Sequence, residues 1–212
     1  MSKSFDFYFD FASPFGFLDS RRVTALAKAI GRDVNWRPFL IGAVYKAHGG
    51  LPLDHPLKKD YVFKDFFRRA KLDGIAEVRV PANFPANPIP PSRLAYWVER
   101  EAPEKMGAFV EAAYRAYWID GKDTSDANVA LDVAASLGFD RDAAASGAQE
   151  QDIKDRLRHE TENALARGVF GSPFILIDGE PFWGTDRFDD IERLYRCAAG
   201  GRLPPVRLRL KC

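Results

Sequence analysis

The segment SFDFYFDFASPFG, residues 4–16, decides the fold, because within it a strand pattern changes into the start of a helix. Phenylalanine occupies every second position from 5 to 11, and this period of two is typical of a β-strand. Ser13 then stands where a helix N-cap is expected, and Pro14 occupies the first helical position. We therefore predict a strand over Ser4–Phe11, followed directly by a helix.

The next segments complete a strand–helix–strand unit. Apolar residues continue at helical spacing from Phe17 to Ile30, and Gly31 predicts the end of that helix. Asp33–Phe39 has the pattern of a second strand. Two strands joined by one helix form a βαβ unit, which is expected to be right-handed and to pair its strands in parallel.

The middle of the chain predicts helices. A proline-rich stretch from Val80 to Pro91 interrupts them and is not expected to form regular helix or central strand. The predicted helices are Tyr61–Leu72, Ser92–Glu101, Pro103–Ile119, Asp126–Leu137 and Gln149–Arg167.

Strand patterns return near the C-terminal end. Pro173–Ile177 and Glu180–Trp183 flank an Asp-Gly turn, and a final helix is expected from Gly184 to about residue 199. The order βαβ, helices, ββα predicts an α/β protein with a thioredoxin fold interrupted by a large all-helical insertion. We expect residues 1–42 and 168–212 to form the thioredoxin-like domain and residues 43–167 the insertion domain.

Composition narrows the classes of partner. The formal net charge of the 212 residues is +1, which does not favour nucleic-acid binding. Cys197 and Cys212 are the only cysteines, and the three histidines have no metal-ligand spacing, so neither a disulfide framework nor a metal site is expected. Without a signal-peptide pattern or a membrane-spanning apolar run, we expect a cytoplasmic protein with no membrane partner.

A second Ser-Pro step, Ser172-Pro173, opens the first of the C-terminal strands. In redox-active thioredoxin folds, cysteine stands at the strand-to-helix junction and faces a cis-proline segment. Here Ser13 and Gly16 occupy the two cysteine positions, and the chain has no Cys-x-x-Cys motif. We therefore predict a site that binds the thiol of another molecule, and we expect that molecule to be glutathione. We also expect the Ser172–Pro173 bond to be cis.

Several short motifs follow one another along the chain: residues 7–15, 37–40, 81–83, 169–173 and 183–187, with the spaced set Lys58, Tyr61, Asp65 and Arg68. With these motifs the chain resembles the 2-hydroxychromene-2-carboxylate isomerases, which are related to kappa-class glutathione transferases and have a DsbA-like scaffold. The resemblance departs at two positions: Gly50 stands where relatives often have a glutathione-contacting Asn, and Ser172 stands where they often have Val or Leu.

The resemblance implies a glutathione site built from separate parts of the chain. Its residues would be Ser13 at the sulfur and as the catalytic residue, Ser172 and Pro173 at the cysteinyl backbone, Thr185 and Asp186 at the γ-glutamyl group, and Lys58 at the glycyl carboxylate. Each has a structural alternative. Ser13, Thr185 and Asp186 are also ordinary helix caps, Pro173 could start an edge strand, and Lys58 could lie on a solvated face.

The implied activity is a glutathione-dependent cis/trans isomerisation of aromatic-degradation intermediates, of the type that converts 2-hydroxychromene-2-carboxylate to trans-o-hydroxybenzylidenepyruvate. The substrate would be a small aromatic carboxylate, with its ring held near Val80–Trp97, and the family implies a homodimer. Two alternatives remain: a general kappa-class glutathione transferase or peroxidase, and a non-catalytic thioredoxin-fold protein that binds thiol peptides.

Overall fold

A computed structural model of the chain describes residues 4–48 and 56–196. Its four-stranded sheet has the order β2-β1-β3-β4, where β1 is Ser4–Phe9, β2 is Asp33–Pro38, β3 is Phe174–Ile177 and β4 is Glu180–Trp183. β2 runs parallel to β1, whereas β3 is antiparallel to both β1 and β4. This arrangement confirms the predicted thioredoxin fold.

Helices account for most of the remaining described residues. Those between β2 and β3 form the predicted insertion, and short 3₁₀ turns precede α5 and α9. The helices are α1 (Pro14–Ile30), α2 (Ile41–His48), α3 (Pro56–Leu72), α4 (Ile89–Glu101), α5 (Met106–Trp118), α6 (Ala127–Ser136), α7 (Arg141–Gly147), α8 (Gln151–Ala166) and α9 (Phe188–Arg196).

Several sequence-based predictions need correction. β1 ends at Phe9 rather than Phe11, and α3 begins at Pro56 rather than Tyr61. α2 and α7 were not predicted as separate helices. α4 begins at Ile89, inside the stretch that was expected to exclude helix, because prolines in the first turn lose no intrahelical hydrogen bond. The final helix begins at Phe188, after a 3₁₀ turn over Thr185–Arg187.

The sheet is covered on both faces. Phe7 and Phe9 of β1 belong to the main core, which also contains Tyr114 and Trp118 of α5. Tyr8 points to the opposite face, where a second buried cluster includes residues of β3, α2 and α8. The insertion therefore shares its core with the thioredoxin part, and the end of β1 is held rigidly from both sides.

Charged and polar groups also fasten the insertion to the sheet. Arg37 of β2 pairs with Asp6 at 3.2 Å and lies 3.9 Å from both Glu99 of α4 and Glu160 of α8. The Tyr96 hydroxyl donates a hydrogen bond of 2.7 Å to the carbonyl oxygen of Pro38. These contacts fix the segment after β2 beside the end of β1.

None of the described helices has the length and apolar character needed to cross a bilayer.

Candidate functional site

Ser13 caps the N-terminus of α1 at the point where the chain leaves β1. Its extended backbone precedes the helix, and its Oγ accepts a hydrogen bond of 3.0 Å from the amide of Gly16. The Ser13 amide itself donates to the Asp10 carbonyl oxygen at 2.9 Å. The capping role that the sequence allowed for Ser13 is therefore present, and it places the hydroxyl at the positive end of the helix dipole.

The same hydroxyl joins the two Ser-Pro steps. Ser13 Oγ donates to the carbonyl oxygen of Ser172 at 2.8 Å, and the Ser172–Pro173 peptide bond is cis, as expected. The amide of Asp10 in turn donates to Ser172 Oγ at 2.9 Å. Two segments 159 residues apart in sequence thus meet directly.

This geometry defines what the Ser13 hydroxyl can do. Its oxygen accepts from the Gly16 amide, so its proton is available to one acceptor, which here is the Ser172 carbonyl. An amide that donates to a hydroxyl polarises it and strengthens it as a donor. A thiolate at the start of α1 would compete with the Ser172 carbonyl for that proton, and the freed carbonyl could then bind a peptide N–H.

Asp10 is the buried centre of this loop, and sequence reasoning did not single it out. Its side chain is 1% exposed, and its two oxygens accept from the amides of Ala12 at 2.8 Å and Ile41 at 3.0 Å. Its carbonyl oxygen accepts from the Tyr114 hydroxyl at 2.8 Å. Burial raises the pKa of Asp10 to about 6, although the two amide bonds act in the opposite direction. The signal in the sequence that could have indicated Asp10 is its position three residues before the helix cap Ser13.

The Asp10 carboxyl predicts an unusual pH dependence of stability. Because its folded-state pKa of about 6 lies above the ordinary value of 3.8, the folded state gains stability as the pH falls through 6. Relative to Asp10→Asn, the free energy of unfolding of the wild type should therefore rise by about 1 kcal/mol between pH 8 and pH 5. Urea unfolding of both proteins at each pH measures this. A constant or falling difference would contradict it.

There is no space for a side chain at Gly16, the position of the second cysteine in a redox motif. A Cβ atom at Gly16 would overlap the hydroxyl of Tyr114 and lie 3.2 Å from Ser172 Oγ. Tyr114 is fully buried and is held by its bond to Asp10, so it cannot move aside freely. The structure therefore explains the glycine physically, since the space that a second thiol would need is filled.

Thr185 and Asp186 lie in the 3₁₀ turn before α9. Arg22 of α1 donates to the Thr185 carbonyl oxygen at 3.1 Å, which ties the turn to the helix that carries Ser13. The exposed Asp186 side chain pairs with Arg187, and this hydrogen bond holds the pKa of Asp186 below its usual value. An anionic group is thus present where the resemblance places the γ-glutamyl ammonium.

Lys58 is exposed in the first turn of α3. The structure shows no contact between Lys58 and the Ser13–Ser172 pair, so its expected role stays a prediction. Asp65 and Arg68 of the same helix form an ion pair of 2.6 Å. Gly50 lies outside the described residues.

No group of acidic, His or Cys side chains in the described ranges could hold a metal ion.

The aromatic side chains differ from the expected ring pocket over Val80–Trp97. Tyr96 and Trp97 are buried in the core, because α4 packs against α8 and α7 on that side. Phe84 remains partly buried and lies 5.2 Å from Phe63 between ring centroids. Phe15, two residues after Ser13, meets Phe66 at 6.5 Å. The aromatic residue beside Ser13 in sequence therefore packs on α3, through the buried Phe66.

A second aromatic pair, with one residue before the cis-proline and one after it, was not predicted. Phe170 and Trp183 are 49% and 56% exposed, and their ring centroids are 5.0 Å apart. The Trp183 indole lies so close to Gly171 that a Cβ there would overlap it. This pair shields the backbone that leads into Ser172.

Residues 5–196 match the protein-family model of the DSBA-like thioredoxin domain. The chain is 33% identical to a 2-hydroxychromene-2-carboxylate isomerase from Sphingobium xenophagum over 91% of this chain and 97% of that relative. A solved structure of a 2-hydroxychromene-2-carboxylate isomerase superposes with a TM-score of 0.81 at 30% identity and covers 92% of this chain and 98% of its own.

More distant relatives share the scaffold. Glutathione s-transferase kappa 2 from Caenorhabditis elegans is 24% identical over 87% of this chain and 88% of its own length. The cytosolic disulfide reductase DsbM from Pseudomonas aeruginosa, solved with GSH, matches in fold with a TM-score of 0.67 at 17% identity, over 92% of this chain and 98% of its own. The chain therefore belongs to the 2-hydroxychromene-2-carboxylate isomerase family of DsbA-like thioredoxin-fold proteins, and it is an enzyme.

Proposed function

We propose that this enzyme is a glutathione-dependent cis/trans isomerase that acts on a small aromatic carboxylate of the 2-hydroxychromene-2-carboxylate type. The observation that carries the proposal is the direct bond between Ser13 and Ser172 at the N-terminus of α1. It combines a hydroxyl donor, a helix N-terminus and the backbone carbonyl of the cis-proline segment, and no cysteine stands among the described residues. The isomerases among its relatives support the reaction class.

The Ser13 hydroxyl and the N-terminus of α1 are hydrogen-bond donors that fit a thiolate. A helix N-terminus lowers the pKa of a nearby thiol from ~8.5 into the range of roughly 3.5–7.5. When bound, glutathione would supply a thiol that adds reversibly to a conjugated double bond, so that the bond becomes free to rotate. Ser13 would donate its proton to the sulfur, and the backbone of Ser172 would bond the cysteinyl residue as a short β-edge.

The ends of the tripeptide are assigned by charge. Asp186 carries the carboxylate that would hold the γ-glutamyl ammonium, with Thr185 beside it, and Lys58 would pair with the glycyl carboxylate. In this proposal residues 1–42 and 168–212 hold the sulfur and the γ-glutamyl end of glutathione, and the insertion of residues 43–167 supplies Lys58 and shelters the aromatic substrate. Phe63 and Phe84 of the insertion, with Phe15 beside Ser13, are the partly buried aromatic side chains that support this placement of the substrate.

Turnover with and without glutathione tests the function. We expect purified protein to convert 2-hydroxychromene-2-carboxylate only when glutathione is present, and to leave the glutathione concentration unchanged. Consumption of glutathione as a conjugate would instead favour the kappa-class transferase alternative, which the nematode relative keeps open. A thermal shift with glutathione but no turnover would favour the non-catalytic binding protein.

Redox inertness is a further expected result. Disulfide exchange needs one thiolate to attack and a second thiol to resolve the mixed disulfide. Ser13 and Gly16 provide neither, so insulin reduction should stay at the level of glutathione alone, while millimolar glutathione raises the unfolding temperature. Disulfide exchange that disappears in Cys197→Ser would contradict this assignment of the site.

The quaternary structure belongs to the same proposal. α3 exposes Leu57, Tyr61 and Leu72 along one side, and apolar side chains in such a row favour contact with another protein surface. We propose a homodimer, as the family resemblance implies. Light scattering after size exclusion should give twice the 23.8 kDa of one chain.

A further inference from the structure

A single arginine fastens the turn before α9 to the helix that carries Ser13. Arg22 Nη1 donates to the Thr185 carbonyl oxygen at 3.1 Å. The same guanidinium lies 4.7 Å from the centroid of the Phe188 ring, at the first residue of α9. Arg22 therefore contacts both ends of the segment that contains Asp186.

A buried carboxyl group holds Arg22 from the interior side. Asp19 Oδ1 lies 3.5 Å from Arg22 Nη1, and the Asp19 side chain is 0% exposed. Its Oδ2 has no hydrogen-bond partner in the described residues. Burial raises the pKa of Asp19, and Arg69 of α3 and Asp73, which follows that helix, also act on it electrostatically. Burying a carboxylate costs folding free energy unless a cation compensates its charge. Asp19 and Arg22 therefore depend on each other for their positions.

We propose that Arg22, supported by Asp19, is a positioning residue that fixes the γ-glutamyl end of the site relative to the sulfur end. The inference rests on the proposed function, because it takes glutathione as the thiol carrier. Ser13 and Arg22 are nine residues apart on one helix, which separates their backbones by about 13 Å at 1.5 Å per residue. Helical side chains lean towards the N-terminus, which shortens this span towards the ~10 Å of an extended tripeptide.

This geometry predicts a selective effect on ligands. Only a thiol with a γ-glutamyl group would use the turn that Arg22 holds, whereas cysteinylglycine would use Ser13, Ser172 and Lys58 without that turn. Arg22→Met removes the donor and the charge but keeps an apolar stem beside Phe188. We expect the Kd for glutathione to rise about tenfold, which corresponds to about 1.4 kcal/mol. The Kd for cysteinylglycine and the kcat at saturating glutathione should stay unchanged.

Calorimetric titration of both thiols into the full chain tests the inference. Arg21→Met is the matched control, because Arg21 is the exposed neighbour on the same helix and its loss changes the net charge equally. Arg22→Lys should recover part of the affinity, and Asp19→Asn should weaken glutathione binding selectively but less than Arg22→Met. If Arg22→Met does not fold, a selective loss of about threefold in Arg22→Lys is the supporting result.

Two kinds of outcome would overturn the inference. An unchanged Kd for glutathione, or equal losses for both thiols, would show that Arg22 only supports the fold while leaving the proposed function intact. A wild-type protein that does not bind glutathione at all would remove the proposed function, and the inference would fall with it.

Discussion

Ser13→Ala should lower the turnover of glutathione-dependent isomerisation by ~10²–10³, the loss seen when one key polar donor is removed. The variant loses the hydroxyl that would donate to the sulfur, while the helix N-terminus stays in place. It also loses the cap bond from Gly16, which costs about 1 kcal/mol of folding stability. Initial rates at saturating glutathione, measured where the variant is fully folded, separate these two effects.

Ser20→Ala is the matched control for that experiment. Ser20 lies on the same helix, is fully buried, and donates only to the Phe17 carbonyl at 2.8 Å. Ser20→Ala removes one serine hydroxyl, as Ser13→Ala does, but leaves Ser172 untouched, so the rate of isomerisation should change little. A Ser13→Ala variant that keeps wild-type turnover and its pH–rate profile would show that Ser13 is a helix cap alone.

Gly16→Ala should destabilise the protein by about 2 kcal/mol, although alanine normally favours a helix over glycine by about 1 kcal/mol. The new methyl group would overlap the Tyr114 hydroxyl, and the movement needed to relieve the overlap would strain the core around Asp10. Activity should fall with stability, because Ser13 and Ser172 flank the same space. Urea denaturation gives the change in unfolding free energy directly.

A double-mutant cycle makes the Gly16 prediction specific. Tyr114→Phe alone removes one of the two donors to the Asp10 carbonyl and should cost about 1 kcal/mol. In the Gly16→Ala background the same change removes the overlap, so the double variant should be more stable than the sum of the single effects predicts. Strictly additive losses would mean that the Tyr114 hydroxyl does not exclude a side chain at position 16.

The parts of the fold that could be predicted are those with local signals. The alternation in β1, the Ser-Pro cap and the Asp-Gly turn each act within a few residues. The structure confirms the cap and the turn, and it confirms the strand over Ser4–Phe9, two residues shorter than predicted. α7, with the sequence RDAAASG, was missed because it is short and lacks an apolar stripe. The first turn of α4 was missed because prolines break a helix only beyond that turn.

The sequence predicted only those contacts of the site that follow from the order of the strands and helices in the fold. The meeting of Ser13 with Ser172 followed from the thioredoxin order of elements, and the structure contains it. The Tyr114 hydroxyl against Gly16 comes from packing between helices far apart in sequence, which no local pattern encodes. Asp19 and Arg22 have the local i,i+3 spacing of an ordinary helix ion pair. The contact of Arg22 with Thr185, 163 residues away, comes from packing that no local pattern encodes.

The pKa of the thiol of bound glutathione tests the central claim most directly. Ultraviolet absorbance reports the thiolate, so titration of glutathione with saturating protein gives this pKa without an assay of turnover. The proposed site predicts a value well below the ~8.5 of a free thiol, and a return towards that value in Ser13→Ala. A bound thiol with the pKa of free glutathione in the wild type would contradict the assignment of Ser13 and the start of α1 as the thiolate site.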